Sequence, residues 1–276
     1  MDCTRWDAKR DEGLTEPEDI EIFDSVQYSD CCALDVYLPK NRAGKLPVIV
    51  HIHGGGFVYG SKEVYRYYLM SIAQRGFAVV NFDYRLAPED KFPAPLEDTN
   101  EVMRFVLENA DRYGFDTENI FAAGDSAGAQ LCSQYAAMCT NEKYARIMGI
   151  TPPEGLKIRA VGLNCGLYSL SEDVGGLGYL LDAYLPDDIE KDDSRLDVLS
   201  HITGDFPPSY LFSAKGDFLL SECEPMAKLL MSRGVEAEYK IYGDGQTGHV
   251  FHVNIRLPSA QQANDDETEF FKRHIK

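Results

Sequence analysis

From about residue 22 onward, two rhythms of apolar positions alternate along the chain. Short runs rich in β-branched and aromatic side chains predict strands at 22–28, 33–38, 47–51, 77–82, 119–123, 158–165, 210–213 and 235–242. Between them, apolar residues three and four apart predict helices at 62–74, 95–113, 127–139, 221–232 and 259–274. The helix at 62–74 carries Val64, Tyr67, Tyr68 and Ile72 on its apolar face, and Gly76 stops it. The helix at 95–113 carries Leu96, Met103, Val106 and Leu107 and is closed by Gly114. Ser221 with Glu224 reads as a capping box opening 221–232. The run at 47–51 is of the compact apolar kind that is buried on both faces. Strands alternating with helices imply the α/β class: a mostly parallel twisted sheet with helices on both faces. No repeat, low-complexity segment or linker interrupts the succession, so a single domain over 1–276 is expected. The stretch 168–206 departs from the rhythm. It is rich in Gly, Asp, Leu and Pro and reads as an insertion over one end of the sheet.

Composition narrows what such a domain can do. A chain of 276 residues, 44% hydrophobic and 26% charged, is long and apolar enough for a sizeable core. Its longest apolar run is strand-length, far short of the roughly 18 residues of a membrane span. The net charge of −18 repels phosphate backbones, anionic membrane surfaces and polyanionic substrates. Seven cysteines include no Cys-x-x-Cys pair; Cys31 and Cys32 are adjacent, and Cys132 and Cys139 share a predicted helix. That spacing fits neither a metal site nor a disulfide framework, and reduced thiols in a cytoplasm are the simplest expectation. Residues 1–13 are polar and lack the apolar core of a signal peptide.

Two motifs carry chemistry. Gly124-Asp125-Ser126-Ala127-Gly128 fits Gly-x-Ser-x-Gly between a predicted strand and a predicted helix, the context of a nucleophile elbow. A sharp strand-to-helix turn projects the serine hydroxyl, and the helix N-terminus favours developing negative charge. Chance alone gives roughly 0.1 such matches in a chain of this composition. His53-Gly54-Gly55-Gly56 follows the strand at 47–51, and chance gives roughly 0.003 matches to it. Three glycines let backbone N–H groups turn toward a substrate oxygen, as acyl transfer requires. A phosphate loop would need Gly-Lys-Ser/Thr, which is absent, and position 59 supplies no third glycine for a dinucleotide fingerprint.

An acid and then a histidine should follow the serine. Asp217 stands just past the strand at 210–213, at a strand end where open α/β sheets build sites; Asp193, Asp197 and Asp205 are competing acids. His249 follows the glycine-rich loop 243–248, and His252 is the alternative base. His201 precedes Asp217 and breaks the order, and His274 lies on the terminal helix.

In order and spacing, His53-Gly-Gly-Gly-Phe57, Asp83-Tyr-Arg-Leu-Ala-Pro-Glu89 with Phe92-Pro-Ala94, Gly124-Asp-Ser-Ala-Gly128, and Asp217 followed by His249 resemble the hormone-sensitive-lipase-like carboxylesterases of the α/β-hydrolase fold. The resemblance spans roughly 33–275. It implies Ser126 as nucleophile, His249 as base, Asp217 as its orienter, and the N–H groups of Gly55, Gly56 and Ala127 as the oxyanion hole. It gives the segment around Tyr84 a structural part and has His53 shape the glycine loop. Two departures stand out. The acid turn reads Asp217-Phe-Leu-Leu-Ser-Glu222 where the family usually has an Asp-Pro-Leu-like turn, and the N-terminal cap is short, leaving 1–20 and about 168–206 as cap elements. The expected activity is hydrolysis of short-chain, uncharged carboxylic esters, acetyl esters among them, without metal or cofactor. Hydrolysis of a peptide, arylformamide or thioester bond is the alternative, with a catalytically inactive small-molecule receptor behind it. The expected partner is a small-molecule ester, not nucleic acid or membrane; a homodimer is compatible with this. Phe57, Tyr59, Leu177, Tyr179, Leu180, Tyr184 and Leu185 are candidates either to line the pocket or simply to pack cap against core.

Overall fold

The computed structural model describes residues 3–170, 176–190 and 192–276. The parts of the two expected cap segments at 1–2, 171–175 and 191 lie outside the described residues. In chain order the elements are α1 (Cys3–Asp11), β1 (Ile20–Gln27), β2 (Ala33–Pro39), β3 (Leu46–Ile52), α2 (Lys62–Ala73), β4 (Ala78–Phe82), α3 (Ala94–Glu108), α4 (Ala110–Tyr113), β5 (Phe115–Asp125) and α5 (Ala127–Thr140). They continue with α6 (Glu142–Met148), β6 (Ile158–Asn164), α7 (Gly178–Tyr184), α8 (Val198–His201), β7 (Ser209–Ala214), α9 (Leu220–Ser232), β8 (Ala237–Tyr242) and α10 (Pro258–Arg273). The eight strands form one sheet in the order β1-β2-β4-β3-β5-β6-β7-β8. β2 runs antiparallel to both β1 and β4, and the remaining pairs are parallel.

The period-2 alternation of strands divides the core between the two faces of the sheet. Val48, Val50, Ile52, Ile120 and Ala122 pack with Leu96, Met103, Leu131 and Tyr135 of α3 and α5. Ile49, Phe121 and Ala123 face the other way, onto Tyr68, Leu69 and Ile72 of α2 and Phe270 and Phe271 of α10. β3 and β5 are parallel neighbours with Ile52 opposite Gly124, so the chain leaving each strand emerges side by side. That register sets the glycine loop beside the serine.

Three local expectations are corrected. The helix predicted over 95–113 is two helices. Asn109 stands between them at φ −105°, ψ 14°, outside the helical region, and both its backbone N–H and its side-chain N–H donate to the Phe105 carbonyl. The buried face of α2 runs through Tyr65, Tyr68, Leu69 and Ile72, while Val64 and Tyr67 are only half-buried; the helix is turned so that Tyr65 reaches the interior. No capping box opens α9, because its N-cap is Leu219 and Ser221 already lies inside the helix. The Leu219 N–H instead donates to the Asp217 carboxylate at 2.9 Å. The short helices α1, α6, α7 and α8 had no counterpart in the sequence reading.

Candidate active site

Ser126 sits at the tip of the turn between β5 and α5 with φ 55°, ψ −120°. A non-glycine residue at positive φ costs of order 1–3 kcal/mol and is held only by its surroundings. Here the flanking glycines make the turn sterically feasible. A Cβ on Gly124 would lie 2.3 Å from the Gly128 carbonyl oxygen, and one on Gly128 would lie 2.0 Å from that of Ile52. The backbone on both sides is anchored: the Ser126 N–H donates to the Asn164 carbonyl at 2.9 Å, and the Leu167 N–H donates to the Ser126 carbonyl at 3.2 Å.

The His249 Nε2 lies 2.9 Å from the Ser126 Oγ, and its Nδ1 lies 2.8 Å from the Asp217 Oδ1. Asp217 occupies the turn after β7. Its Oδ1 also accepts the Leu219 N–H, and its Oδ2 accepts the Ser213 hydroxyl at 2.9 Å. Burial pushes this carboxyl up, but the hydrogen bonds from His249 and the Leu219 N–H outweigh burial and leave it below the ordinary carboxylate range. The loop carrying His249 is tied to the acid turn by the Gly216 N–H, which donates to the Thr247 carbonyl at 3.0 Å.

The structure brings Ser126, Asp217 and His249 together and sends the competing residues elsewhere. His252 is fully buried with its ring against Tyr68 and Phe212. Burial pushes it down to about 3, so it stays neutral. His201 stacks on Tyr144, and His274 packs against Phe270. Asp193 pairs with Arg195, Asp197 caps α8, and Asp205 is exposed. His53 stacks on Tyr84 at 4.1 Å, and the Tyr84 hydroxyl donates to the His53 carbonyl, so this tyrosine braces the strand end that feeds the glycine loop. Among the pocket candidates, Phe57 stacks on Tyr184 at 3.9 Å and both are buried, Leu180 lies directly over Gly56, and Tyr179 is exposed.

Two neighbours of the site were missed from sequence. Phe218, in the altered acid turn, has its ring 4.3 Å from that of His249 and is 50% exposed. The departure from Asp-Pro-Leu was its only signal. Cys165 is fully buried beside Asp217, and among the described residues Cys165, Asp217 and His249 form one group of potential metal ligands, their donor atoms within 4.8 Å of one another. In that group the Asp217 and His249 atoms are already engaged with each other.

Behind the serine lies a buried polar layer. Burial pushes Asp125 and Glu267 up to about 7 each, while it holds His53 down at about 4 and His51 well below its ordinary value. These shifts have opposite consequences. A raised carboxyl contributes stability that is present at low pH and lost as pH rises through its folded value. A depressed histidine contributes stability that is present above about 6.5 and lost as pH falls. The windows overlap and offset each other. Glu267→Gln removes one of the two raised carboxyls from this balance. It should leave the melting temperature nearly unchanged at pH 5 and raise it at pH 8 by several degrees, equivalent to about 2 kcal/mol. Thermal melts at the two pH values check this; an equal effect at both would place the ionisation of Glu267 elsewhere.

Residues 49–253 match the model of a family described by its α/β-hydrolase fold. The chain belongs to this family. It is 29% identical over 245 residues to the acetyl esterase of Salmonella dublin, covering 83% of this chain and 72% of that protein. Among solved structures, the hyperthermophilic esterase of Pyrobaculum calidifontis superposes with a TM-score of 0.78 at 28% identity, over 98% of this chain and 88% of that one. Esterase B of Lactobacillus rhamnosis superposes with a TM-score of 0.90 over 98% of this chain and 91% of that one; at 23% identity it speaks for the fold. The hormone-sensitive-lipase-like resemblance carried by the motifs agrees with these relatives. Among the described residues, no helix is long and apolar enough to cross a membrane.

Proposed function

We propose that this chain is a serine carboxylesterase acting on short-chain, uncharged esters, acetyl esters among them. The observation that carries the reading is the continuous hydrogen-bond path from Ser126 Oγ through His249 to Asp217. His249 holds its proton on Nδ1, where Asp217 accepts it, so Nε2 is free to take the proton of the serine hydroxyl. Ser126 Oγ then attacks the ester carbonyl. The N–H groups of Gly55, Gly56 and Ala127 hold the tetrahedral oxyanion, and Asp217 stabilises the imidazolium. The imidazolium returns its proton to the leaving alcohol, and water, deprotonated by the same Nε2, resolves the acyl-enzyme. No step calls for a cofactor. A non-catalytic receptor would have no use for a base so placed.

Three features support the substrate class. In this reading residues 1–20 and about 168–206 of a single domain form the cap. Its described parts lie close over the site: Asp7 accepts the Tyr59 hydroxyl at 2.7 Å, and Leu180 covers Gly56. Phe218 presents a half-exposed apolar ring beside the histidine that must protonate the leaving alcohol, and the charge of −18 disfavours anionic esters. The acetyl esterase of Salmonella dublin is consistent with this range. A cytoplasmic location belongs to the same reading and is supported by the unpaired state of Cys31, Cys32, Cys132, Cys139, Cys165 and Cys223.

A p-nitrophenyl ester series from acetate to palmitate tests the proposal. Each buried methylene is worth about 0.8 kcal/mol, so kcat/KM should first rise with acyl length. The maximum should fall at about two to six carbons and decline once further carbons meet polar loop or water. A maximum at about ten carbons or longer, or activity only on emulsified triglyceride, would contradict the short-acyl assignment.

A further inference from the structure

We propose that Tyr65 is a positioning residue that locks the glycine loop to the nucleophile elbow through Asp125; the inference rests on the esterase reading above. Tyr65 lies on α2 and is buried. Its hydroxyl donates to the Asp125 Oδ2 at 2.7 Å and accepts the Gly54 N–H at 3.1 Å. Asp125 immediately precedes Ser126, and Gly54 immediately precedes Gly55 and Gly56. One hydroxyl therefore joins the residue before the nucleophile to the residue before two of the proposed oxyanion donors.

The contact it spans has no slack. A Cβ on Gly54 would sit 2.5 Å from the Asp125 Oδ2 and 2.8 Å from the Asp125 carbonyl oxygen. The Tyr65 ring is itself held on its flanks, with the His51 ring at 5.2 Å and the His53 ring at 5.9 Å. From the other side, the Arg10 guanidinium of α1 donates to the Val64 carbonyl and fixes the start of α2. The hydroxyl must donate and accept at once, which phenylalanine cannot do although it fills the same space. Buried groups linked in this way lose orientation together when one link is cut.

Oxyanion donors act on charge that exists only in the transition state, so a loosened glycine loop should reach kcat and spare substrate binding. Removing an oxyanion donor outright costs about 10²–10³ in kcat. Releasing one from its register should cost less, about 10- to 100-fold. In Tyr65→Phe, kcat on p-nitrophenyl acetate should fall by that factor while KM stays within about twofold. Affinity for a trifluoromethyl ketone, which forms a tetrahedral adduct on the serine, should fall in parallel with kcat/KM. A fold that is lost rather than loosened would show in thermal melts, and a second pair of variants covers that case. Asp125→Asn keeps an acceptor for the Tyr65 hydroxyl and should lose clearly less kcat than Asp125→Ala. Tyr65→Phe with kcat within about threefold of wild type, or equal losses in the two Asp125 variants, would overturn the inference. Wild-type enzyme without activity on any ester would instead overturn the esterase reading itself, so the two failures are distinguishable.

Discussion

Ser126→Ala should lose about 10⁴- to 10⁶-fold in kcat while keeping its fold. The size follows from the division of labour at the site. On the proposed mechanism, removing the hydroxyl would abolish the acyl-enzyme route and leave only the binding pocket and the proposed oxyanion donors, which retain a small residual catalysis. The fold should survive for a local reason. Ser126 holds its neighbours through backbone bonds to Asn164 and Leu167, which alanine keeps. Its side chain faces His249, not the core. Alanine must still adopt φ near 55°, so any change in melting temperature should be small. A fluorophosphonate probe should label the wild type at Ser126 and fail to label the variant. Labelling of another serine in the variant would show that the elbow is not the nucleophile.

How much of this was written in the sequence differs from element to element, for physical reasons. The sheet was legible because strands such as Leu46–Ile52 and Ala78–Phe82 are buried on both faces and so read as unbroken apolar runs. The elbow was legible because Gly124 and Gly128 leave no space for a Cβ, a steric demand that appears directly as residue identity. The short helices α6, α7 and α8 span only two turns or fewer, too little for a helical period to emerge. α1 is polar along its length and carries no apolar stripe. The face of α2 was misjudged because it has tyrosines at 65, 67 and 68, and periodicity alone cannot say which one buries. A hydrogen bond to Asp125, sixty positions away, decides it. Likewise no spacing rule separates His249 from His252. What separates them is Val250, at φ 48°, which turns the chain so that His249 faces the serine and His252 enters the core.

The same turn gives the second large effect. His249→Ala should fall nearly as far as Ser126→Ala, because a base hydrogen-bonded directly to the serine hydroxyl cannot be replaced by bulk water at comparable efficiency. The loss should appear in kcat far more than in KM, since the proton moves only in the transition state. His252→Ala should behave in the opposite way. Its ring fills space among Tyr68, Phe212 and Phe251, so truncation leaves a cavity and should cost about 2–4 kcal/mol of stability. Assayed well below its melting temperature, it should keep kcat within about tenfold of wild type. Asp217→Asn should fall between them, about 10³- to 10⁴-fold, because the carboxylate orients the imidazole and stabilises its cation without itself bonding to substrate. Steady-state kinetics and thermal melts on the three variants separate the roles. If His252→Ala loses activity and His249→Ala loses only stability, the proton path runs through the other histidine and the assignment of the base is wrong.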